Sequence, residues 1–332
     1  MPKRNGMRKL EPAMTSIAFM DDTVFTVQPN STQIFYFDIS QIASIVNRRF
    51  YRQGLNWAVG GIKILTQENS IGSITLEKMH DTWVTSGAWM KTYSHWRAQQ
   101  DKALEAMGAE ETKGRFNDYK VFLDDGHVTQ FTLNSYNLNL TNVLPAMGYA
   151  TTDQYETGEW QASQIVIPND GGVPGVTDEY YVKMYGASDT DAKSIIGGYK
   201  FSRTFPQSPD PATPSVETSW LNQMQDVGGN SDEIVENATN RNDELPYSQA
   251  EYPGAGLNCP VTMVHDRTLI QNTTIGGVTN LMGGQFPCGL FKLEVTNFDA
   301  GPEAVPLTFK MFLRLVPGDH RGYLAEPMQE MN

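Results

Sequence analysis

The stretch QFPCGLFKLEVTNFDAGPEAVPLTFKMFLRLV (residues 285–316) decides the fold class. Its flanks, residues 285–298 and 305–316, are rich in β-branched and aromatic residues, and Asp299-Ala300-Gly301-Pro302 between them supplies turn chemistry. In the second flank Leu307, Phe309, Met311 and Leu313 alternate with Thr308, Lys310, Phe312 and Arg314. That period of two turns one face of a strand toward a core and the other toward solvent. The two flanks read as a terminal β-hairpin.

Upstream, STQIFYFDIS (residues 31–40) predicts a long strand, followed by one short helical turn over residues 41–46. LNWAVGGIKILT (residues 55–66) predicts a second strand with a bulge at Gly60-Gly61, and residues 71–76 and 83–85 predict shorter ones. The period then changes. Trp89, Tyr93, Trp96, Leu104 and Met107 recur at helical steps, predicting an amphipathic helix over residues 88–107 bracketed by Gly87 and Gly108. Strand signals resume at residues 118–123, 161–167 and 178–185, with hairpin turns at Asp125-Gly126 and at Asn169-Asp170-Gly171-Gly172. No repeat suggests a propeller, and strands and helices do not alternate as in a parallel α/β fold. The expectation is an all-β chain, a single antiparallel jelly-roll sandwich of about eight core strands with long loops and one principal inserted helix.

The chain has 332 residues, 39% of them apolar and 11% aromatic, enough for a sizeable core. No run approaches the roughly 20 apolar residues of a membrane helix, so membrane insertion is not expected. MPKRNGMRKLEPAM at the start lacks the apolar segment of a secretory signal. Cys259 and Cys288 fit two free thiols or one bridge. The net charge of -13 is unevenly spread: residues 1–120 hold 15 Lys+Arg against 12 Asp+Glu, and the rest holds 10 against 26. Much of the acidity lies in residues 203–258, a Pro-, Gly- and Asn-rich stretch with nine acidic side chains and, past Arg203, only Arg241 to oppose them. Such a composition reads as a long acidic loop insertion rather than a second core.

Catalytic vocabulary is sparse. His80, His95, His127, His265 and His320 form no pair at metal-ligand spacing, and no nucleophile elbow, P-loop or CxxC occurs. Neither a cofactor nor an enzymatic activity is expected. Asp124, Asp125 and His127 around Gly126 could offer oxygen ligands to Ca²⁺, although Asp-Gly is also what a hairpin turn requires. Trp89, Tyr93 and Trp96 could stack on bases or sugars, against core packing as the plainer reading of their spacing.

Two basic clusters are candidates for binding nucleic acid. Lys3, Arg4, Arg8 and Lys9 lie on an N-terminal arm, residues 1–20, expected to be flexible, ahead of the domain spanning residues 21–332. Arg48, Arg49 and Arg52 lie in NRRFYRQG with Phe50 and Tyr51 interleaved. Guanidinium groups fork onto phosphate oxygens and aromatic neighbours can stack on bases. The competing readings are pairing with carboxylates of a neighbouring subunit for the second cluster and solubilising charge for the first.

NRRFYRQG, WVTSGAWMKTYSHW, GRFNDYKVFLDDGHV, the insert from SPDPATPSVETSW to SQAEYPG, and the ending PGDHRGYLAEPMQEMN together resemble the capsid proteins of circular, Rep-encoding single-stranded DNA (CRESS-DNA) viruses. The resemblance covers the chain from about residue 45 to its end. It implies a homo-oligomeric icosahedral shell of about sixty copies in its T=1 form, enclosing a circular single-stranded DNA genome. It also implies residence in the virion, in the host cell and its nucleus during assembly, and an unspecified host receptor as a partner. The chain departs from that group in having four basic residues at its start where others carry a long Arg-rich arm. The alternative from another class is a jelly-roll carbohydrate-binding or adhesive protein.

Overall fold

The computed structural model describes residue 13 and residues 15–19, 25–47, 49–113, 118–134, 143–145, 162–168, 177–204, 261–271 and 277–331. In chain order its elements begin with β1 (Ser16–Phe19), β2 (Thr26–Val27), β3 (Ser31–Asp38), α1 (Ile39–Asn47), β4 (Leu55–Thr66), β5 (Gly72–Lys78) and α2 (Trp83–Met107). They continue with α3 (Asp125–Asn134), β6 (Val143–Pro145), β7 (Gln164–Pro168), β8 (Thr177–Lys183), β9 (Ala192–Ser194) and α4 (Ile195–Thr204). The last are β10 (Met263–Ile270), β11 (Val278–Phe286), β12 (Leu290–Asn297), β13 (Leu307–Leu315), β14 (Pro317–Gly318), β15 (Gly322–Tyr323) and β16 (Ala325–Pro327).

Antiparallel sheets dominate. One runs β11-β4-β13-β1-β6, with β16 also on β4 and β2 on β13; the other runs β10-β5-β12-β3. Both feed a single apolar core. Ile17, Ile62, Ile64, Leu281, Phe309, Met311 and Leu313 come from the first sheet, and Phe35, Phe37, Ile74, Leu76, Phe291, Leu293 and Val295 from the second. Phe25 joins them, its ring 4.9 Å from that of Phe309 and 5.4 Å from that of Phe35. Each such side chain, fully buried, contributes about 1.5–3 kcal/mol relative to exposure. Along β1, β3, β4, β5, β10, β11, β12 and β13 the chain changes sheet at every step but one. The exception is β5 to β10, neighbours in one sheet joined by residues 79–262.

That excursion builds its own layer. The long helix α2 buries Val84, Ala88, Trp89 and Trp96. Its Trp96 indole N–H donates to the Gln164 carbonyl at 3.2 Å and its Gln99 amide donates to the Val166 carbonyl at 2.6 Å, docking it on β7. Trp89, Trp96, Tyr119, Met184 and Ile196 form a second core that also takes in Tyr36 of β3 and Leu290 of β12. Gly108 closes the helix at φ 63°, a left-handed cap, its N–H on the carbonyls of Leu104 and Glu105.

Several expectations hold. β4 has the predicted bounds, and Gly60 is its bulge: Gly61 pairs with Arg314 and Val59 with Leu315, leaving Gly60 as the extra residue. The predicted alternation in β13 is borne out, with Leu307, Phe309, Met311 and Leu313 buried. β7 and β8 form an antiparallel pair.

Others are overturned. The terminal hairpin does not form, because β12 and β13 lie in different sheets, and Pro287-Cys288-Gly289 also breaks the first predicted strand into β11 and β12, again in different sheets. Proline withholds a ladder N–H, and Cys288 and Gly289 both take positive φ, so the chain turns there from one sheet to the other. Residues 83–85 begin α2 instead of forming a strand, since buried Val84, Ala88 and Trp89 share a helical face. Gly87 consequently sits inside the helix, where a β-carbon would meet the Tyr199 hydroxyl at 2.8 Å. Residues 118–123 form no strand and, among the described residues, make a single bridge, Phe122 with Lys183. Asp125-Gly126 opens α3 and is not a hairpin turn. The expected helical turn at residues 41–46 lengthens to α1 and α2 is the principal helix, but α3 and α4 were not expected. Residues 16–19, counted with the basic arm, form β1 in the core sheet. Residues 205–258 of the acidic insert lie outside the described residues, and its first two end α4.

Candidate nucleic-acid interface

Of the candidate cations, Lys3, Arg4, Arg8, Lys9 and Arg48 lie outside the described residues. Arg49 and Arg52 are described, in the link between α1 and β4. The buried Asp38 holds the start of this region. Its Oδ1 accepts from the backbone N–H groups of Ser40 (2.9 Å) and Gln41 (3.3 Å), capping α1, and its Oδ2 accepts from the Gln53 amide at 3.2 Å. Gln53 then acts as a clamp. Its amide oxygen accepts from Val121 N–H at 2.6 Å, its amide nitrogen donates to the Val121 carbonyl at 3.1 Å, and its backbone N–H donates to Asp118 Oδ2 at 3.1 Å.

Arg52 is exposed between the buried Tyr51 and Gln53. The Tyr51 hydroxyl donates to the Arg321 carbonyl at 3.1 Å and its ring lies 5.4 Å from that of Tyr323. Tyr51 therefore belongs to the core and cannot stack on a base, contrary to the interleaved-aromatic expectation. Phe50 is half-buried, with the Lys120 ammonium 5.8 Å from its ring centre.

The structure brings Phe50 and Arg52 to a pocket of about 400 Å³ that Trp89, Tyr93, Asp118 and Arg321 also line. The Arg321 guanidinium donates to the Phe50 carbonyl, and Arg321 itself sits at φ 51° in the turn between β14 and β15. Trp89 and Tyr93 stack with ring centres 5.1 Å apart and planes 9° from parallel. Gly54 is required beneath them, since a β-carbon there would fall 2.5 Å from the Trp89 ring. Burial raises the Asp118 carboxyl to about 6, against the pull of the Gln53 N–H and of Lys120. Burial lowers His320, another lining residue, and the neighbouring Arg321 charge lowers it further.

Arg52 and Arg49 were named from sequence as cations, and Trp89 and Tyr93 as residues able to stack on bases; Arg321 and Asp118 as pocket residues were not. Their only sequence signal is chemical type, because the pocket draws on four separate stretches of chain. Trp89 and Trp96 are core side chains, as the plainer reading had it, but Trp89 also forms pocket wall.

Asp124 and Asp125 are engaged by lysines. Lys292 contacts Asp124 at 2.9 Å and Glu77 at 3.2 Å, and buried Lys183 pairs with Asp125 and Asp189. Among the described residues no cluster of three His, Cys, Asp or Glu could hold a metal ion. Cys288 is a buried free thiol, and Cys259 lies outside the described residues. Among the described residues no helix is long and apolar enough to cross a membrane. Comparison of the chain with protein-family models, with curated proteins and with solved structures gave no match.

Proposed function

We propose that this chain is a viral coat subunit that assembles into a small icosahedral shell around a circular single-stranded DNA genome. The observation that carries the reading is the pair of strand orders, β11-β4-β13-β1 and β10-β5-β12-β3. An eight-stranded chain that alternates between two facing sheets in this way is a jelly roll, a fold shared by capsid and lectin domains. Fold alone does not choose between those functions. The resemblance of NRRFYRQG, the insert and the C-terminal string to coat proteins of circular Rep-encoding viruses favours the capsid.

Surface chemistry agrees with self-association. Val264 and Leu269 on β10 and Met282 on β11 are exposed, as is Val261 just before β10, and both strands stand at a sheet margin. Apolar groups at strand edges favour burial against another copy. The exposed Arg52 and Arg321 supply cations for the genome, and many weak phosphate contacts add up over one confined polymer. Jelly-roll ends present their loops to neighbours, and the long β5–β10 excursion would fill the space between subunits.

Electron microscopy and size-exclusion chromatography of the purified chain test this. Uniform closed particles containing nuclease-protected DNA are expected; a monomer that persists at high concentration across salt and pH would overturn the reading. Replacing Lys3, Arg4, Arg8 and Lys9 by Ala should lower the DNA content per particle, and unchanged content would remove the arm from packaging.

A further inference from the structure

We infer that the pocket between Arg52 and Arg321 takes one nucleotide of single-stranded DNA, its phosphate held by the two guanidinium groups and its base lodged against Phe50, Trp89 and Tyr93. The inference deepens the coat-protein reading and rests on it for the source of the nucleic acid.

Size, charge and unused donors point the same way. The volume of about 400 Å³ lies in the range of roughly 300–1,000 Å³ usual for small-molecule sites. Arg52 and Arg321 are exposed, and Arg52 has no ion pair with any described residue. Arg321 uses one nitrogen on the Phe50 carbonyl, leaving other N–H donors of its fork for an oxyanion.

The pairing of cations with aromatics selects the ligand class. Two exposed guanidinium groups favour an anionic ligand over a neutral sugar, although the Asp118 carboxylate, which also accepts from the Gln53 N–H, offsets part of their charge. Duplex DNA keeps its base faces stacked inside the helix, whereas an unpaired base can enter an aromatic pocket. A nucleotide of a single strand meets both demands.

The test uses the full-length protein, titrated with 5′-deoxyadenylate and with a thymidine pentanucleotide by calorimetry. Saturable binding of both is expected. Arg52→Gln and Arg321→Gln should each weaken it by about tenfold or more, the loss of a charged hydrogen bond, and should flatten its salt dependence. Tyr93→Leu should weaken binding without changing the salt slope. Thermal melts of each variant control for folding, and the exposed position of Arg52 makes Arg52→Gln the decisive one. Absence of binding by the unaltered protein, equal affinity in the folded Arg52→Gln variant, or tighter binding of glucose than of deoxyadenylate would overturn the assignment. Particles that package DNA yet bind neither probe would refute the pocket and leave the coat reading standing. Pocket binding by a chain that never assembles would do the reverse.

Discussion

The Tyr36 ring on β3 stacks on the His127 imidazole on α3, with centres 4.8 Å apart and planes 4° from parallel. This stack fastens the β5–β10 excursion to the face of the four-stranded sheet. It leaves no room for a side chain at position 126, where a β-carbon would fall 2.2 Å from the Tyr36 hydroxyl. His127 Nδ1 accepts from Leu123 N–H at 3.1 Å, which requires a neutral ring, and burial lowers its pKa to about 4 although Asp124 pulls the other way. The folded value lies below the ordinary 6.5, so between these values the unfolded chain binds the extra proton. His127 therefore stabilises the fold fully above about pH 6.5, and this is lost as pH falls through 4, on the order of 3 kcal/mol in all. Urea denaturation of His127→Phe should show a flatter stability profile over that window; an unchanged slope would assign the transition to another group.

Asp118 should act in the opposite sense. Its carboxyl is raised to about 6 from 3.8, so over that interval the folded chain holds the extra proton and stability falls as pH rises. Asp118→Asn keeps an oxygen for the Gln53 N–H and removes the cost of the buried charge. The variant should gain on the unaltered protein from about pH 4 to pH 6, by up to about 3 kcal/mol, and keep a constant margin above. Melting temperatures at pH 4.5 and pH 7 would show this, and a margin equal at both would contradict it.

The elements legible in the sequence are those whose own side chains carry the period. β4 and β13 read correctly because burial alternates along β13 and through the middle of β4, and the exposed end of α2 reads correctly because Gly108 caps it. The failures are tertiary. Residues 285–298 look like one strand because apolar residues run through Pro287-Cys288-Gly289, and only the sheet change explains why that turn is itself fully buried. Trp83-Val84-Thr85 has strand composition, yet it is the first turn of a helix whose Ala88 and Trp89 share a core with Met328 and whose Ser86 Oγ donates to the Met328 carbonyl at 2.6 Å. Of the basic cluster, Arg52 was legible as a surface cation, but its partner Arg321 lies far along the chain and is brought near by the Tyr51 hydroxyl bond to the Arg321 carbonyl.

Lys183 offers a test of buried charge. Its side chain is fully buried between Asp125 and Asp189, both about half exposed. Burial alone would lower its pKa, but the two carboxylates prevail and raise it, keeping it charged. Lys183→Met frees two carboxylates that water already reaches, and should cost less than about 1 kcal/mol. Asp125→Asn combined with Asp189→Asn strands an ammonium in the interior and should cost about 3–5 kcal/mol. Equal losses in urea denaturation would mean that the ion pairs themselves, which both changes remove, carry the stability, and not the cost of an unpaired buried ammonium.

Gly283 and Gly60 face each other across β11 and β4 but should respond differently to the same change. A β-carbon at Gly283 would lie 2.3 Å from the Val59 carbonyl oxygen and 2.6 Å from the Gly60 carbonyl carbon, both rigid backbone. At Gly60 it would meet only the Arg314 carbonyl oxygen at 3.6 Å and a Val316 methyl at 3.7 Å, ordinary contact distances. The close approach is therefore on the Gly283 side. Gly283→Ala should destabilise by about 1–3 kcal/mol as the ladder is forced apart. Gly60→Ala should fall within about 0.5 kcal/mol of the parent, as for an uncrowded substitution. Chemical denaturation of the two variants side by side decides the matter: if Gly60→Ala proved the more damaging, the bulge would depend on backbone freedom at Gly60 and not on the spacing of the strands.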